Sequence, residues 1–231
     1  MSRTFTLIGT SNVLTATYYP PIELNPNYEY AVGLIGLHTY NTIPNIYEGQ
    51  NKFYYGNESV TIPTGAYEVT DIEDFLQQSI AKNKDGVISL KPNNSTQKCE
   101  ISSKFTIDFT KADSIGRMLG FSSKVLAPNE AHESDLPVQI IKVVTIRVEC
   151  NITAAAFYGA HLSHTLYEFA PSVEPGYSIN IEPRNIIYLP ISTTHIDKIT
   201  LRLIDQDGDP VNFRGETIVI RLELKKYGAR F

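Results

Sequence analysis

Apolar and polar residues alternate most strictly near the carboxyl end of the chain. Over residues 217–224, Ile218, Ile220, Leu222 and Leu224 alternate with Thr217, Val219, Arg221 and Glu223, the period of two that marks a half-buried strand. The run before it repeats the pattern, with Ile199, Leu201 and Leu203 set against Lys198, Thr200 and Arg202. Between the two runs, Asp207-Gly208 and Arg214-Gly215 are turn signals. Residues 138–150 form the longest predicted strand, in which Val144, Ile146, Val148 and Cys150 share a face and Cys150 points to the core. In residues 28–37 apolar side chains occupy both parities, which predicts a strand covered on both faces or lying at a subunit contact.

The period changes to that of a helix where Ile72, Phe75, Leu76 and Ile80 recur three and four apart. Thr70 and Glu73 supply a capping box and Asp85-Gly86 a stop. A second short helix is predicted from Asp113 through Met118 and Leu119 to Gly120. Residues 122–136 are polar and carry Pro128, so they read as a surface excursion. The remaining apolar pieces are short and separated by Asn, Pro and Gly. About ten strands and two helices predict an all-β antiparallel sandwich or barrel, with residues 1–231 as one domain.

Composition narrows the function. The chain is 19% charged with a net charge of −5, which argues against a surface built to neutralise nucleic-acid phosphates. Lys225, Lys226 and Arg230 make a small basic end that reads as a solvated terminus. Two cysteines, no charged leader and no apolar run of membrane-spanning length predict an intracellular protein with no disulfide framework.

Two constellations imitate metal sites. Asp205, Asp207, Asp209 and Glu216 have the 1, 3, 5, 12 spacing of a calcium loop, but Pro210 stands where that loop needs glycine, and the flanks are strands. An acidic turn is the plain reading. His161, His164 and Glu168 have the composition of a cupin site, but residues three apart on a strand face opposite ways. No histidine stands at a diagnostic spacing from Cys99 or Cys150, and GxSxG, Walker and HExxH motifs are missing. No enzyme activity, cofactor or metal is expected.

The ordered segments YNTIPNIYEGQNKFYYG, IPTGAYEVTDIEDFLQ, DSIGRMLGFSS, NEAHESDLPVQI, RVECNI, HTLYEFAPSVEPGYSI and DQDGDPVNFRGETIVIRLELKK resemble the penton-type minor capsid proteins of Maverick/Polinton elements and adintoviruses. The resemblance runs from about residue 28 to residue 225. It implies a single jelly-roll sandwich of two four-stranded antiparallel sheets, with the two short helices as insertions. Five copies would occupy each fivefold vertex of an icosahedral capsid whose faces are a separate double-jelly-roll major capsid protein. The protein would belong to the virion, and would be intracellular in the host during assembly. The amino end carries no long basic arm, a departure from some capsid proteins.

Such a subunit needs two different, complementary sides. Candidates are Tyr28, Tyr30 and Val32 in the two-sided strand, the aromatics Tyr47, Phe53, Tyr54 and Tyr55, expected to be exposed, and the loop bounded by Pro171 and Pro175. The alternative is a jelly-roll binding module kept by a host for a carbohydrate or receptor, for which Tyr18, Tyr19 and Asn25 offer a thin platform.

Overall fold

The structure is a computed structural model that describes residues 2–80, 88–154 and 156–229. Three strands open the chain, β1 (Ser2–Gly9), β2 (Val13–Glu23) and β3 (Tyr28–Tyr40). Next come β4 (Lys52–Tyr55), β5 (Glu58–Thr61), helix α1 (Val69–Ile80), β6 (Ile88–Asn93) and β7 (Lys98–Ser103). Three very short strands follow: β8 (Ile107–Asp108), β9 (Val125–Leu126) and β10 (Ala131–Glu133). The rest comprises β11 (Ile146–Cys150), β12 (Ala156–Tyr158), β13 (His161–Ser163), β14 (Thr165–Phe169), β15 (Ser178–Ile181), β16 (Leu189–Pro190), β17 (His195–Ile204) and β18 (Ile218–Ala229).

These elements gather into two compact units, Met1–Ile43 with Val143–Phe231, and Pro44–Lys142. The first holds two antiparallel sheets in the orders β1-β18-β3-β15 and β14-β11-β17-β2, with β16 also pairing β3. Strands adjacent in space are far apart in the chain, and the two four-stranded orders are those of a jelly roll. The alternation read from sequence supplies its core. Ile218, Ile220, Leu222 and Leu224 of β18 and Val32 and Leu34 of β3 face Ile199, Leu201 and Leu203 of β17 and Ile146, Val148 and Cys150 of β11. Register joins the ends of the chain, with Phe5 opposite Leu222 on one side and Leu34 opposite it on the other.

The second unit lies in sequence between β3 and β11 and has its own core. Its sheets have the orders β10-β7-β6 and β5-β4-β8-β9. Of the predicted stripe, helix α1 buries Ile72 and Leu76 and partly buries Phe75 and Ile80, and it adds Val69 at its start. Its first turn is capped differently: the Asp71 carboxylate accepts the Glu68 N–H at 2.9 Å, so the cap is Glu68 and Asp71 rather than Thr70 and Glu73. The predicted stop at Asp85-Gly86 lies outside the described residues.

The second predicted helix is replaced by turns, and α1 is the one α-helix among the described residues. The turns still end as a helix does. Gly120, at φ 83°, lets Phe121 N–H bond Gly116 O and Gly120 N–H bond Arg117 O, the pairing of a Schellman cap. The stretch 122–136 is more than an excursion, since it contributes β9 and β10. Ser134 is buried there, and its hydroxyl accepts the Cys99 N–H at 3.0 Å. Asp135 accepts both the N–H and hydroxyl of Ser122 and pairs with Lys124 at 2.8 Å. These partners, Lys124 first, hold the Asp135 carboxyl well below the usual carboxylate range. The long strand predicted over 138–150 is confined to Ile146–Cys150. Before it, the Gln206 side-chain oxygen accepts the Val144 and Thr145 N–H groups in place of a neighbouring strand.

Candidate functional site

The predicted contact residues fall in three separate places. Val32 is fully buried in the jelly-roll core. The apolar residues on both faces of β3 are explained by its own chain, because a Cβ at Gly33 would meet Ile186 Cγ2 at 2.5 Å and Ile187 O at 2.9 Å. The aromatics of the second unit are not exposed as a group. Phe53 and Tyr55 point into that unit's core, and Phe53 packs edge-on to Phe109 with ring centroids 6.0 Å apart. Alternation turns Tyr54 outward, where its hydroxyl donates to Asp113 Oδ1 at 2.9 Å beside the Lys52–Asp113 pair. Tyr47 is half-buried, with Lys142 Nζ 4.0 Å from its ring centre and its hydroxyl donating to Gln50.

Pro171 is half-buried and Pro175 exposed, in a loop fastened to Asn41. The Asn41 side chain donates to Val173 O at 2.7 Å, and the Asn41 backbone carbonyl accepts the Gly176 N–H at 2.7 Å. Asn41 follows β3, whereas Tyr28 begins it. A strand of that length separates the two places by about 40 Å.

Tyr28 and Tyr30 do converge with residues that sequence reasoning missed. They line a groove of about 560 Å³ together with Tyr188, Pro190, Ile191 and Tyr227. The Lys226 Nζ lies 3.1 Å from the Tyr28 ring centre, and Lys225 Nζ lies 4.4 Å from that of Tyr188. The Tyr188 hydroxyl donates to the Glu223 carboxylate and accepts from Lys225 at 3.1 Å. The bond to Glu223 raises the Tyr188 pKa and lowers that of Glu223. The phenol therefore stays a neutral donor. The exposed Glu29 and the hydroxyl residues Ser192, Thr193 and Thr194 complete the lining, so the recess is aromatic and polar together.

A second feature is the hairpin of β12 and β13. Its two-residue turn starts at Gly159, φ 59°, the glycine position of a type II′ turn. Tyr158 fixes the inner face: the Arg147 guanidinium carbon is 3.8 Å from its ring centre and its hydroxyl donates to Gln206 O at 3.1 Å. Phe157 and Leu162 are cross-strand partners on the other face, each 70% exposed. Their signal in the sequence is indirect, a run over residues 151–167 without a single Asp, Glu, Lys or Arg.

The imitated metal sites have other uses. Asp205 is 4% exposed, and its Oδ1 accepts the N–H groups of Asp207 and Asp209, each at 2.9 Å. Glu216 accepts the Thr217 N–H. His164 Nδ1 lies 2.8 Å from Thr153 O, and His161 sits on the exposed hairpin. Among the described residues no three His, Cys, Asp or Glu side chains are grouped to hold a metal ion. The Tyr18–Tyr19 platform does not form, because Tyr18 packs against Phe5 with centroids 5.6 Å apart while Tyr19 stands alone at 99% exposure. No helix among the described residues is long and apolar enough to cross a membrane.

Both cysteines are free and buried. Burial pushes the Cys99 thiol up to about 12, with help from Glu73 and Glu100, and the Cys150 thiol up to about 11. An unfolded cysteine titrates near 8.5. The stabilising contribution of the protonated thiols is thus complete below about pH 8.5 and is lost as pH rises through the folded values. A thiol reagent at pH 8 is expected to label neither residue in the native protein and both in denaturant. Fast native labelling of either would contradict the burial.

No family model and no curated protein matches the chain. Solved structures do match. A selenomethionine-labelled penton protein of mavirus, known from a crystal structure, superposes over 98% of this chain and 100% of its own, with a TM-score of 0.53 and 13% sequence identity. The likeness is one of fold, and the chain shares the jelly-roll architecture of that penton protein.

Proposed function

We propose that the chain is a penton subunit, a structural capsid protein of a Maverick/Polinton element or adintovirus. Residues 1–231 act as one jelly-roll capsid domain, with Pro44–Lys142 inserted between β3 and β11. Five copies form a ring at each vertex, beside a double-jelly-roll major capsid protein, in shells assembled inside the host cell. The observation that carries this reading is the fold shared with a penton protein over 98% of the chain. The ordered segment resemblance supports it independently. The role asks for complementary sides and no catalytic centre.

Size exclusion with light scattering, followed by class averages of negatively stained particles, tests the reading. A fivefold ring is expected. A trimer that persists at all concentrations would overturn the ring in favour of a lectin-like module.

A further inference from the structure

We infer that the β12–β13 hairpin is a strap with two positions: closed, it is clasped on Arg147 through Tyr158; open, it leaves Arg147 to pair with Glu168.

The clasp covers a cation that has no acid beside it. Ile146 and Val148 of β11 face the core, so Arg147 lies on the outer face of the β14-β11-β17-β2 sheet. Its Nε and Nη2 both donate to Asp205 O, at 3.2 and 3.1 Å. Tyr158 closes over the guanidinium, with its ring centre 3.8 Å from the guanidinium carbon, and its hydroxyl donates to the neighbouring Gln206 O at 3.1 Å. Under this cover Arg147 is 5% exposed, and among the described residues no carboxylate lies within ion-pair distance of it. Burial of an ion without a counter-ion opposes closure. The ring face and the carbonyl offset that cost only in part.

The roots of the hairpin are fixed and its far end is not. The Thr153 hydroxyl is shared between Cys150 O at 2.8 Å and His164 O at 3.0 Å. Ala154 N–H donates to Pro190 O at 2.9 Å, and Cys150 N–H donates to His164 O at 3.0 Å. Between these anchors run the short strands β12 and β13, with Phe157 and Leu162 turned to water. Tyr158 ties this stretch down on the sheet. A segment fastened by a cation–π contact and a hydrogen bond opens at a far lower free energy than the strands beneath it.

Glu168 supplies the second position. It is the cross-strand partner of Arg147 in the β11–β14 ladder, so both side chains rise from one face with opposite charges directly opposite. Glu168 is exposed, while Arg147 reaches the other way, to Asp205 just past the end of β17. Lifting Tyr158 returns water to the guanidinium and lets Glu168 pair with it. The outer face of the sheet therefore has two chemistries. Closed, it presents the uncharged pair Phe157 and Leu162; open, it presents an arginine and its acid.

Amide hydrogen exchange of the full chain, read by mass spectrometry on peptides that cover the hairpin and β11, tests the strap. Hairpin amides are expected to exchange at least about a hundredfold faster than those of β11. Tyr158→Leu keeps an apolar cover but loses the ring and the hydroxyl, and is expected to speed hairpin exchange by about tenfold or more. Glu168→Gln removes the ion pair of the open position and is expected to slow it by about threefold. Added salt screens that exposed pair, so it is expected to slow the wild type and leave Glu168→Gln unchanged. Both substitutions are at exposed positions, and circular dichroism and melting are checked first. Hairpin amides as slow as those of β11, or exchange that is unchanged or faster in folded Glu168→Gln, would overturn the strap. Neither result bears on ring formation, which the light-scattering mass reads separately.

Discussion

Replacing Leu222 by alanine is expected to destabilise the jelly roll by about 3 kcal/mol, a large share of the roughly 5–15 kcal/mol that separates folded from unfolded domains. Leu222 has 0% exposure and stands in the middle of its sheet, between Phe5 of β1 and Leu34 of β3. Alanine loses the transfer free energy of the missing carbons and leaves a cavity, because neighbours held in two sheets cannot collapse into it. Leu222→Met keeps the volume and is expected to cost less than about 1.5 kcal/mol. Urea midpoints for the two variants decide the matter, and equal midpoints would mean that the site relaxes.

Gly120→Ala is expected to be as damaging in the second unit. A residue with a Cβ costs about 1–2 kcal/mol in the left-handed region, and here the new atom would also lie 2.1 Å from Leu136 O. That carbonyl cannot step aside freely. It accepts the Ser134 hydroxyl at 2.7 Å, and the Leu136 N–H bonds back to Gly120 O at 2.9 Å. A total of about 3 kcal/mol or more follows. The cysteines report where the damage falls, since Cys99 belongs to the second unit and Cys150 to the jelly roll. Gly120→Ala is expected to speed labelling of Cys99 and Leu222→Ala that of Cys150. Equal acceleration of both thiols by either variant would show that the units open together.

The sequence by itself determined what depends on one element and one dry face. The alternation in β18 and β17 assigned their inward residues correctly, that in β11 did so for Ile146, Val148 and Cys150 but not for Val144, which precedes the strand and is 59% exposed, and the three-and-four spacing located α1. Those patterns need only a period and a boundary with water. The acidic turn was legible for a similar reason, since Asp-Gly chemistry and Pro210 are local. Where an element lacked polar contrast, the pattern was silent. Phe53, Tyr54 and Tyr55 are all aromatic, so only packing decided that the first and third are buried and the second turns outward. The turn at residues 113–120 has a helix's start and stop signals, but its chain is tied to other segments and makes no regular helix.

Tertiary structure alone decided the strand order, which pairs the first strand with the last, because such contacts are set by the summed burial of two sheets rather than by any local preference. It alone divided the cores at Pro44 and Lys142, where composition shows no break. Only it brought Tyr28, Tyr30, Tyr188 and Tyr227 to one groove, and left Phe157 and Leu162 in water on the β12–β13 hairpin. The candidate site is built from residues distant in the chain, and their meeting is a property of the packed sandwich.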